Sequence, residues 1–575
     1  MQEYLEKMKK IQSCILEYIE DEENIEEHYQ NIIKILDEQE ILKNKSDAKT
    51  ILHLLAKISN HHHRSSTFFE KIAKLLQVFK EEIKSAFSNW EIFKIFKGNK
   101  RVLLFLVEEQ ILTIDFDIIS ELFKVKYLRM KYPEYFSIEI KPLLDTEIIE
   151  NYNLDKQKRR EDEKEEKEEN NEKYDKEIDD YDLIEALNKD EPDDFIEKRK
   201  IGENDDEVCE IIRKDLIEEF ITLFNKNSYS IDSQIKESIY ETNSFLLKNK
   251  KTNLIQYAAF FGATQIFKYL YQNGATIVSS LWLYAIHGDD SEIITMLLEH
   301  KTGKIQYSYD RYILECFKCH HNHIVSYFDK KLSNKKFDVN YFNCIKYYNF
   351  AYMPTTKVNN MKLFCNACQY DYTKIVDFFL ETKKVDIAPK KVFTQVLSCA
   401  ANKDNQEVLD LLLSQNDVDI PDYIFHYNES LTRISFPLTV KSIGKGAFIY
   451  CFSLMKVTIP SSVTRIENKT FCQCFSLRQV SLPGSLTYIG GYAFYKCLKL
   501  REIEIPNSVE SIGCYAFGHC QNLKHVSIPS SVKSLGSRAF DECTSLADLS
   551  IPWSLGNIGS NAFPFETKVT RIPNC

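Results

Sequence analysis

The chain has 575 residues, 44% hydrophobic and 28% charged, which is enough to build several packed cores and too apolar for wholesale disorder. Its formal charge is −11, from 74 Lys and Arg against 85 Asp and Glu, and that balance argues against a general nucleic-acid binder. Only 16 Gly and 14 Pro are present, which excludes collagen-like and elastic sequences.

Residues 1–150 show helical periodicity, with Leu5, Met8, Ile11, Ile15 and Ile19 as one apolar stripe. The first 19 residues mix charged and apolar positions and lack the apolar core of roughly 7–15 residues that marks a secretory signal. The apolar burst at 102–107 ends in Glu108 and Glu109, far short of the ~18 residues a membrane span needs. Cys575 is the last residue, not the fourth from last, so the C-terminus spells no prenylation box. The expectation is a cytoplasmic protein without a transmembrane segment, its 16 cysteines mostly free thiols. Cell-surface location by unconventional export is the alternative.

Residues 155–182 are almost entirely Lys, Arg, Glu and Asp, with acids in excess. Such a stretch buries too little apolar surface to offset the entropy of ordering. Residues 151–200 are therefore read as a charged linker or insertion, with an acidic interaction arm as the alternative.

A helical repeat emerges over 201–425. Asn253-Leu-Ile-Gln-Tyr-Ala-Ala-Phe-Phe-Gly262 is followed by Ile266, Leu270 and Gly274-Ala275, and residues 285–288 with Ile293, Ile294 and Leu297 make a second copy. Ala367, Ile375, Leu380 and Asp386-Ile387 recur as Ala400, Val408, Leu413 and Asp419-Ile420, each a step of 33. Residues 213–221 and 320–328 fit weaker copies. These segments resemble the ankyrin repeat, whose period is about 33. The departures at Asn253, Leu254 and Gln256 predict weakened capping. Gly98-Asn-Lys-Arg-Val102 imitates the same turn and second helix, so the helical region 1–150 is read as divergent ankyrin-like as well. Asn60-His-His-His-Arg64, Ile95-Phe-Lys-Gly-Asn-Lys-Arg101, Tyr240-Glu-Thr-Asn-Ser-Phe-Leu-Leu247 and Ser280-Leu-Trp-Leu-Tyr-Ala-Ile-His-Gly288 look like an ankyrin-containing family expanded in trichomonad protists. That resemblance implies architecture and no assigned activity.

Over 426–575 several residue series lock to one period. Pro437, Pro460, Pro483, Pro506, Pro529 and Pro552 are each 23 apart, and Phe448, Phe471, Phe494, Phe517, Phe540 and Phe563 keep the same step. Cys451, Cys474, Cys497, Cys520 and Cys543 follow it, as do Ile443, Ile466, Ile489, Ile512, Leu535 and Ile558. In each unit an alternating run such as Leu523, Val526 and Ile528 predicts a short strand, which Pro529 ends because proline cannot donate to a ladder. One unit cannot bury its own apolar face; stacked units with parallel strands can. The pattern Leu-x-x-Val-x-Ile-Pro-x-Ser-Val-x-x-Ile-Gly-x-x-Ala-Phe-x-x-Cys is similar to the BspA-like (Treponema-type) leucine-rich repeat. The predicted fold class is thus an α-helical ankyrin-type solenoid followed by an α/β, mostly β, leucine-rich-repeat solenoid. The resemblance implies a ligand-binding or adhesive surface, often described as a surface antigen, and no catalysis.

Chemistry hidden in the helices is not expected. Cys316-Phe-Lys-Cys319-His320, with His321 and His323, has the spelling of a haem or zinc motif, but Cys316 and Cys319 at i, i+3 suit one packed helix face. Cys365 and Cys368 form a second such pair. Three successive histidines, 61–63, diverge by about 100° each on a helix and cannot converge on one ion there without a loop; a polar helix end or loop is expected. The ladder cysteines are read as buried free thiols, although rung spacing does not exclude a bridge. Nucleotide, metalloprotease, hydrolase and kinase motifs are absent. No catalytic residue, metal or cofactor is assigned.

Binding is expected on the outward strand positions of the C-terminal array. Arg433, Lys456, Gln479, Glu502, His525 and Asp548 form a column running from basic to acidic, and Arg478, Arg501 and Lys524 precede it on neighbouring rungs; Thr432 is read as outward too. Such a face suits a polarised protein partner. The expected function is a non-catalytic scaffold holding protein partners on two solenoid surfaces, the alternative being a surface antigen or adhesin binding host or matrix ligands.

Overall fold

The computed structural model describes residues 1–62, 65, 67–144, 187, 189–299, 309–325, 341–353, 360–415 and 417–573. The charged run 155–182, His63 and Arg64 lie outside them, as does part of the expected copy at 320–328. The chain divides into two compact units at Met353 and Pro354. Among the described residues no helix is long and apolar enough to cross a membrane.

The first unit is helical. Helix α1 (Gln2–Glu20) buries the stripe Leu5, Met8, Ile11, Ile15 and Ile19. Helix α2 (Lys45–His61) is buried on nearly every side. Helix α3 (Lys100–Glu108) starts at Asn99, whose side chain accepts from the Arg101 and Val102 N–H groups and donates to Ser59 O at 2.8 Å. Past the charged run, α4 (Phe195–Ile201) is held by buried Arg199, which grips Glu139 through two bonds of 2.7 and 2.9 Å. A bidentate guanidinium–carboxylate pair is among the stronger polar contacts available.

Helix pairs follow. Helices α5 (Leu254–Phe260) and α6 (Thr264–Gln272) form one hairpin, α7 (Leu281–Gly288) and α8 (Ser291–Glu299) the next, and α9 (Tyr309–Cys319) begins a third. First helices stack on first helices, α5 on α7 on α9, and α6 packs on α8. The capping expected to be weak is intact. Asn253 Oδ1 accepts from the Gln256 N–H and Gln256 Oε1 accepts from the Asn253 N–H, both at 3.0 Å. Asparagine and glutamine thus build a reciprocal capping box without the threonine and histidine of the ankyrin pattern.

The second unit opens with the same helix-pair geometry: α10 (Asn360–Gln369) with α11 (Thr373–Glu381), then α12 (Lys390–Ala401) with α13 (Gln406–Leu413). The 33-residue step places α12 on α10 and α13 on α11. A parallel β-solenoid continues directly. Strand β1 (Val418–Ile420) precedes β2 (Arg433–Ser435) and pairs with β3 (Val440–Ile443). The main strand of each later rung is β4 (Lys456–Thr458), β6 (Gln479–Ser481), β8 (Glu502–Glu504), β10 (His525–Ser527), β12 (Asp548–Pro552) and β14 (Lys568–Ile572). Short second strands, β5 (Arg465–Ile466), β7 (Tyr488–Ile489), β9 (Ser511–Ile512), β11 (Ser534–Leu535) and β13 (Asn557–Ile558), form a sheet of their own. Every named pair is parallel, and from β2 to β12 the register of the main strands follows the 23-residue step: Ile434 faces Val457, which faces Val480. The α-helical region followed by a leucine-rich-repeat solenoid is as the periodicities predicted.

The core of the solenoid is a stack of rings. Phe448, Phe471, Phe494, Phe517 and Phe540 follow one another with centroids 5.1–5.4 Å apart. The cysteine column lies beside it. Cys474, Cys497, Cys520 and Cys543 are fully buried free thiols, each donating to a phenylalanine carbonyl of the preceding rung: Phe448, Phe471, Phe494 and Phe517, at 3.1–3.3 Å. A thiol here fills a methyl-sized space and also supplies a weak donor. Burial pushes the Cys474, Cys497 and Cys520 thiols well up, and Cys543 to about 12. An alkylating reagent on the folded chain is therefore expected to modify exposed Cys514 well before this column. Residue-resolved mass spectrometry reads the order, and simultaneous labelling would mean the column is open to solvent.

Candidate partner-binding surface

The strand sheet displays the predicted face in two runs. Arg433, Lys456 and Gln479 stand opposite one another across β2, β4 and β6. Glu502 faces His525 across β8 and β10. The β10–β12 register, fixed by Ser527 opposite Ser550, carries the column on to Asp548. Lys456, Gln479, Glu502, His525 and Asp548 are exposed and Arg433 is half-buried. Alternation sends Val457, Ile503 and Val526 inward from the same strands. Arg501 and Lys524 are exposed and Arg478 half-buried just before their strands, and backbone bonds from Arg478 N to Met455 O and from Lys524 N to Arg501 O keep them in line.

Two expectations about this face need correction. Thr432 does not point outward: it is 5% exposed, and its hydroxyl donates to Asp404 Oδ2 at 2.6 Å. Asp404 lies in the turn before α13, so the helix pair covers the start of the ladder and draws Thr432 inward. The column also does not end in acid, because β14 adds one more rung and sets Lys568 opposite Asp548. This rung escaped the periodicity because Pro573 follows Pro552 by 21 residues instead of 23. The surviving signal is Val569-Thr-Arg-Ile-Pro573, a remnant of the Val-x-Ile-Pro pattern.

A second exposed face had no place in the sequence reading. At the turns opposite the strands, Lys469, Tyr492, Tyr515 and Arg538 all adopt left-handed backbone, with φ between 53° and 61°. Each costs about 1 kcal/mol for a side-chain-bearing residue. Inter-rung bonds oppose that cost: Lys469 N donates to Gly491 O and Tyr492 N to Cys514 O, both at 2.9 Å. The result is a cation–aromatic row. Tyr492 and Tyr515 stack with centroids 4.9 Å apart, Lys469 lies 5.8 Å over Tyr492, and Arg538 lies 5.6 Å over Tyr515. The usable signal was the 23-residue step of these four positions.

In the helical region, Cys316 and Cys319 lie on one buried face of α9, as their spacing predicted. Burial raises both thiols well above their ordinary range. His320 and His321 do not stand at a solvated turn; they are 2% and 0% exposed. His320 Nδ1 lies 2.9 Å from Gln12 Nε2, and His321 Nδ1 lies 2.7 Å from Ile286 O. His61 and His62 close α2 in buried positions instead of a polar end, His62 Nδ1 sitting 2.9 Å from Cys319 O. Cys365 and Cys368 belong to α10 in the second unit, both buried.

The model of the BspA type leucine-rich repeat region matches six copies, over residues 405–512 and 487–573. Similar solved structures include a leucine-rich repeat protein from Bacteroides ovatus, 30% identical over 28% of this chain and 44% of that chain, with a TM-score of 0.25. The T. pallidum leucine-rich repeat protein is 32% identical over 26% of this chain and 66% of that one, with a TM-score of 0.22. The pneumococcal vaccine antigen PcpA is 21% identical over 27% of this chain and 53% of that one, with a TM-score of 0.17. The chain therefore spans less than two thirds of the length of each of these proteins. No curated protein matches the chain.

Proposed function

We propose that this chain, whose residues 405–573 carry BspA-type leucine-rich repeats, is a non-catalytic interaction protein that binds a protein partner on the strand face of its solenoid. The observation that supports this reading is the in-register row of outward charges: Arg433 and Lys456 at one end, Glu502, His525 and Asp548 toward the other. A rigid row of this kind presents a fixed charge pattern to a complementary chain at little conformational cost. Arg478, Gln479, Arg501 and Lys524 extend the row into a patch, and we assign them to the same contact. In this proposal residues 201–425 are an ankyrin-type array offering a second contact surface, residues 1–150 a related helical region, and 151–200 a charged insertion.

Replacing Arg478, Arg501 and Lys524 together by Ala in the full chain is expected to weaken capture of the partner about tenfold, equal to roughly 1.4 kcal/mol, and to leave the melting profile unchanged. The partner is first identified by cross-linking on the wild-type chain, then titrated against both forms. Equal affinity would overturn the assignment. A surface-adhesin reading draws on the repeat type itself; labelling of intact cells with an impermeant reagent separates it from an internal scaffold.

A further inference from the structure

We infer that His287, Glu315 and Cys319 form a structural zinc site inside the helical unit. All three are buried, at 1%, 8% and 0% exposure, and one donor atom from each lies within 4.8 Å of the other two. Glu315 and Cys319 are four residues apart and share one face of α9, while His287 comes from the last turn of α7. The spacing in the chain, 28 residues and then four, matches no zinc-finger pattern, which is why the motif around Cys316 and His320 drew attention to the wrong neighbours.

One donor pair already has the separation that zinc requires. Bond lengths of about 2.0–2.3 Å at a tetrahedral zinc hold its donors roughly 3.3–3.7 Å apart. Cys319 Sγ lies 3.4 Å from His287 Nδ1. Glu315 Oε1 lies 2.7 Å from the other ring nitrogen, Nε2, so it leaves that hydrogen bond to join Cys319 around an ion held at Nδ1. His61 brings a carbonyl oxygen to the same place. It lies 3.1 Å from His287 Nδ1. The rings of Phe245 and Phe260, 4.3 and 5.1 Å from that of His287, wall the site with apolar surface. A mixed nitrogen, sulfur and carboxylate set in a dry pocket selects zinc over calcium or magnesium.

The cation now at this place is the Lys318 ammonium, which donates to Glu315 Oε1. Its side chain is 16% exposed, so its long stem can swing the ammonium to solvent. Zinc replaces it, Cys319 releases its thiol proton to water, and the ion with the thiolate and the carboxylate is neutral. The bound ion would tie α7 and α9 to the end of α2.

The test uses the full chain stripped of metal and titrated with cobalt(II), a spectroscopic stand-in for zinc. About one cobalt per chain is expected to bind, with a thiolate-to-cobalt charge-transfer band in the near ultraviolet that zinc then bleaches. Cys319→Ser is expected to abolish the band and Cys316→Ser to keep it. Glu315→Gln is expected to weaken cobalt binding at least tenfold and Lys318→Gln to tighten it; a plain hydrogen-bond network would give no band and no such opposition of sign. Absence of the band in the wild-type chain, or its persistence in Cys319→Ser, overturns the site. The wild-type titration decides alone should a variant fail to fold.

Discussion

Phe517→Ala is expected to destabilise the solenoid by about 3–5 kcal/mol, the range for deleting a buried aromatic ring without collapse of the site. Phe517 is fully buried between Phe494 and Phe540, with centroids 5.3 and 5.1 Å away and ring planes within 7° of parallel. The backbone at this rung cannot close in, because Phe517 N donates to Ala539 O at 2.8 Å and Phe494 N to Ala516 O at 2.7 Å, holding both neighbours at rung spacing. The void is therefore retained. In a one-dimensional stack each rung contacts only its neighbours, so protection against hydrogen exchange should fall between Phe494 and Phe540 and change little in α10–α13. Chemical denaturation gives the magnitude and residue-resolved exchange the location. A loss below about 1 kcal/mol, or one spread evenly over the unit, would contradict the ring stack as the core.

Gly288→Ala is expected to cost about 3 kcal/mol, at the upper end for forcing an atom into a packed interior. A Cβ at this position would lie 2.0 Å from Ala259 O and 3.0 Å from Gly262 N, both backbone atoms of the neighbouring hairpin. Neither atom can move without separating α5 from α7. The sign of the result is the informative part. Glycine within a helix is less favourable than alanine by about 1 kcal/mol, so intrinsic propensity alone predicts a more stable protein. A thermal melt followed by helical circular dichroism distinguishes the two, and a rise in midpoint would show that the hairpins are not in this close contact.

The sequence was most readable where one environment repeats. Every rung asks the same of its proline, phenylalanine and cysteine, so a single period exposed the strands, the ring stack and the outward column together. It failed where an environment occurs once. Thr432 reads as outward from its place in the repeat, where later rungs carry Arg478, Arg501 and Lys524, yet only the first rung has a helix pair beside it. The β14 rung was lost to a two-residue contraction. In the helical unit the stripe from Leu5 to Ile19 was legible from its 3.6-residue period, whereas Gln12, buried on the same helix and bonded to Asn349 Oδ1 at 3.2 Å, was not. Its partner is 337 residues away in the chain, and no local pattern encodes that distance. The burial of His61, His62 and His287 has the same origin: each is made by helices that meet only after folding.

Asp404 has one more consequence. Rungs of nearly identical sequence can pair one whole repeat out of step, since a shift of 23 residues restores almost every apolar contact and every backbone bond. Nothing within the repeats themselves forbids this slippage. The helix-borne groups do: the Asp404 carboxylate accepts from both the amide and the hydroxyl of Thr432, and Gln406 Nε2 donates to Arg433 O. Of the residues that occupy this position on successive rungs, Met455, Arg478, Arg501, Lys524 and Ala547, none carries a hydroxyl. The junction thus acts as a key that admits one alignment, giving an otherwise translationally degenerate stack a defined origin.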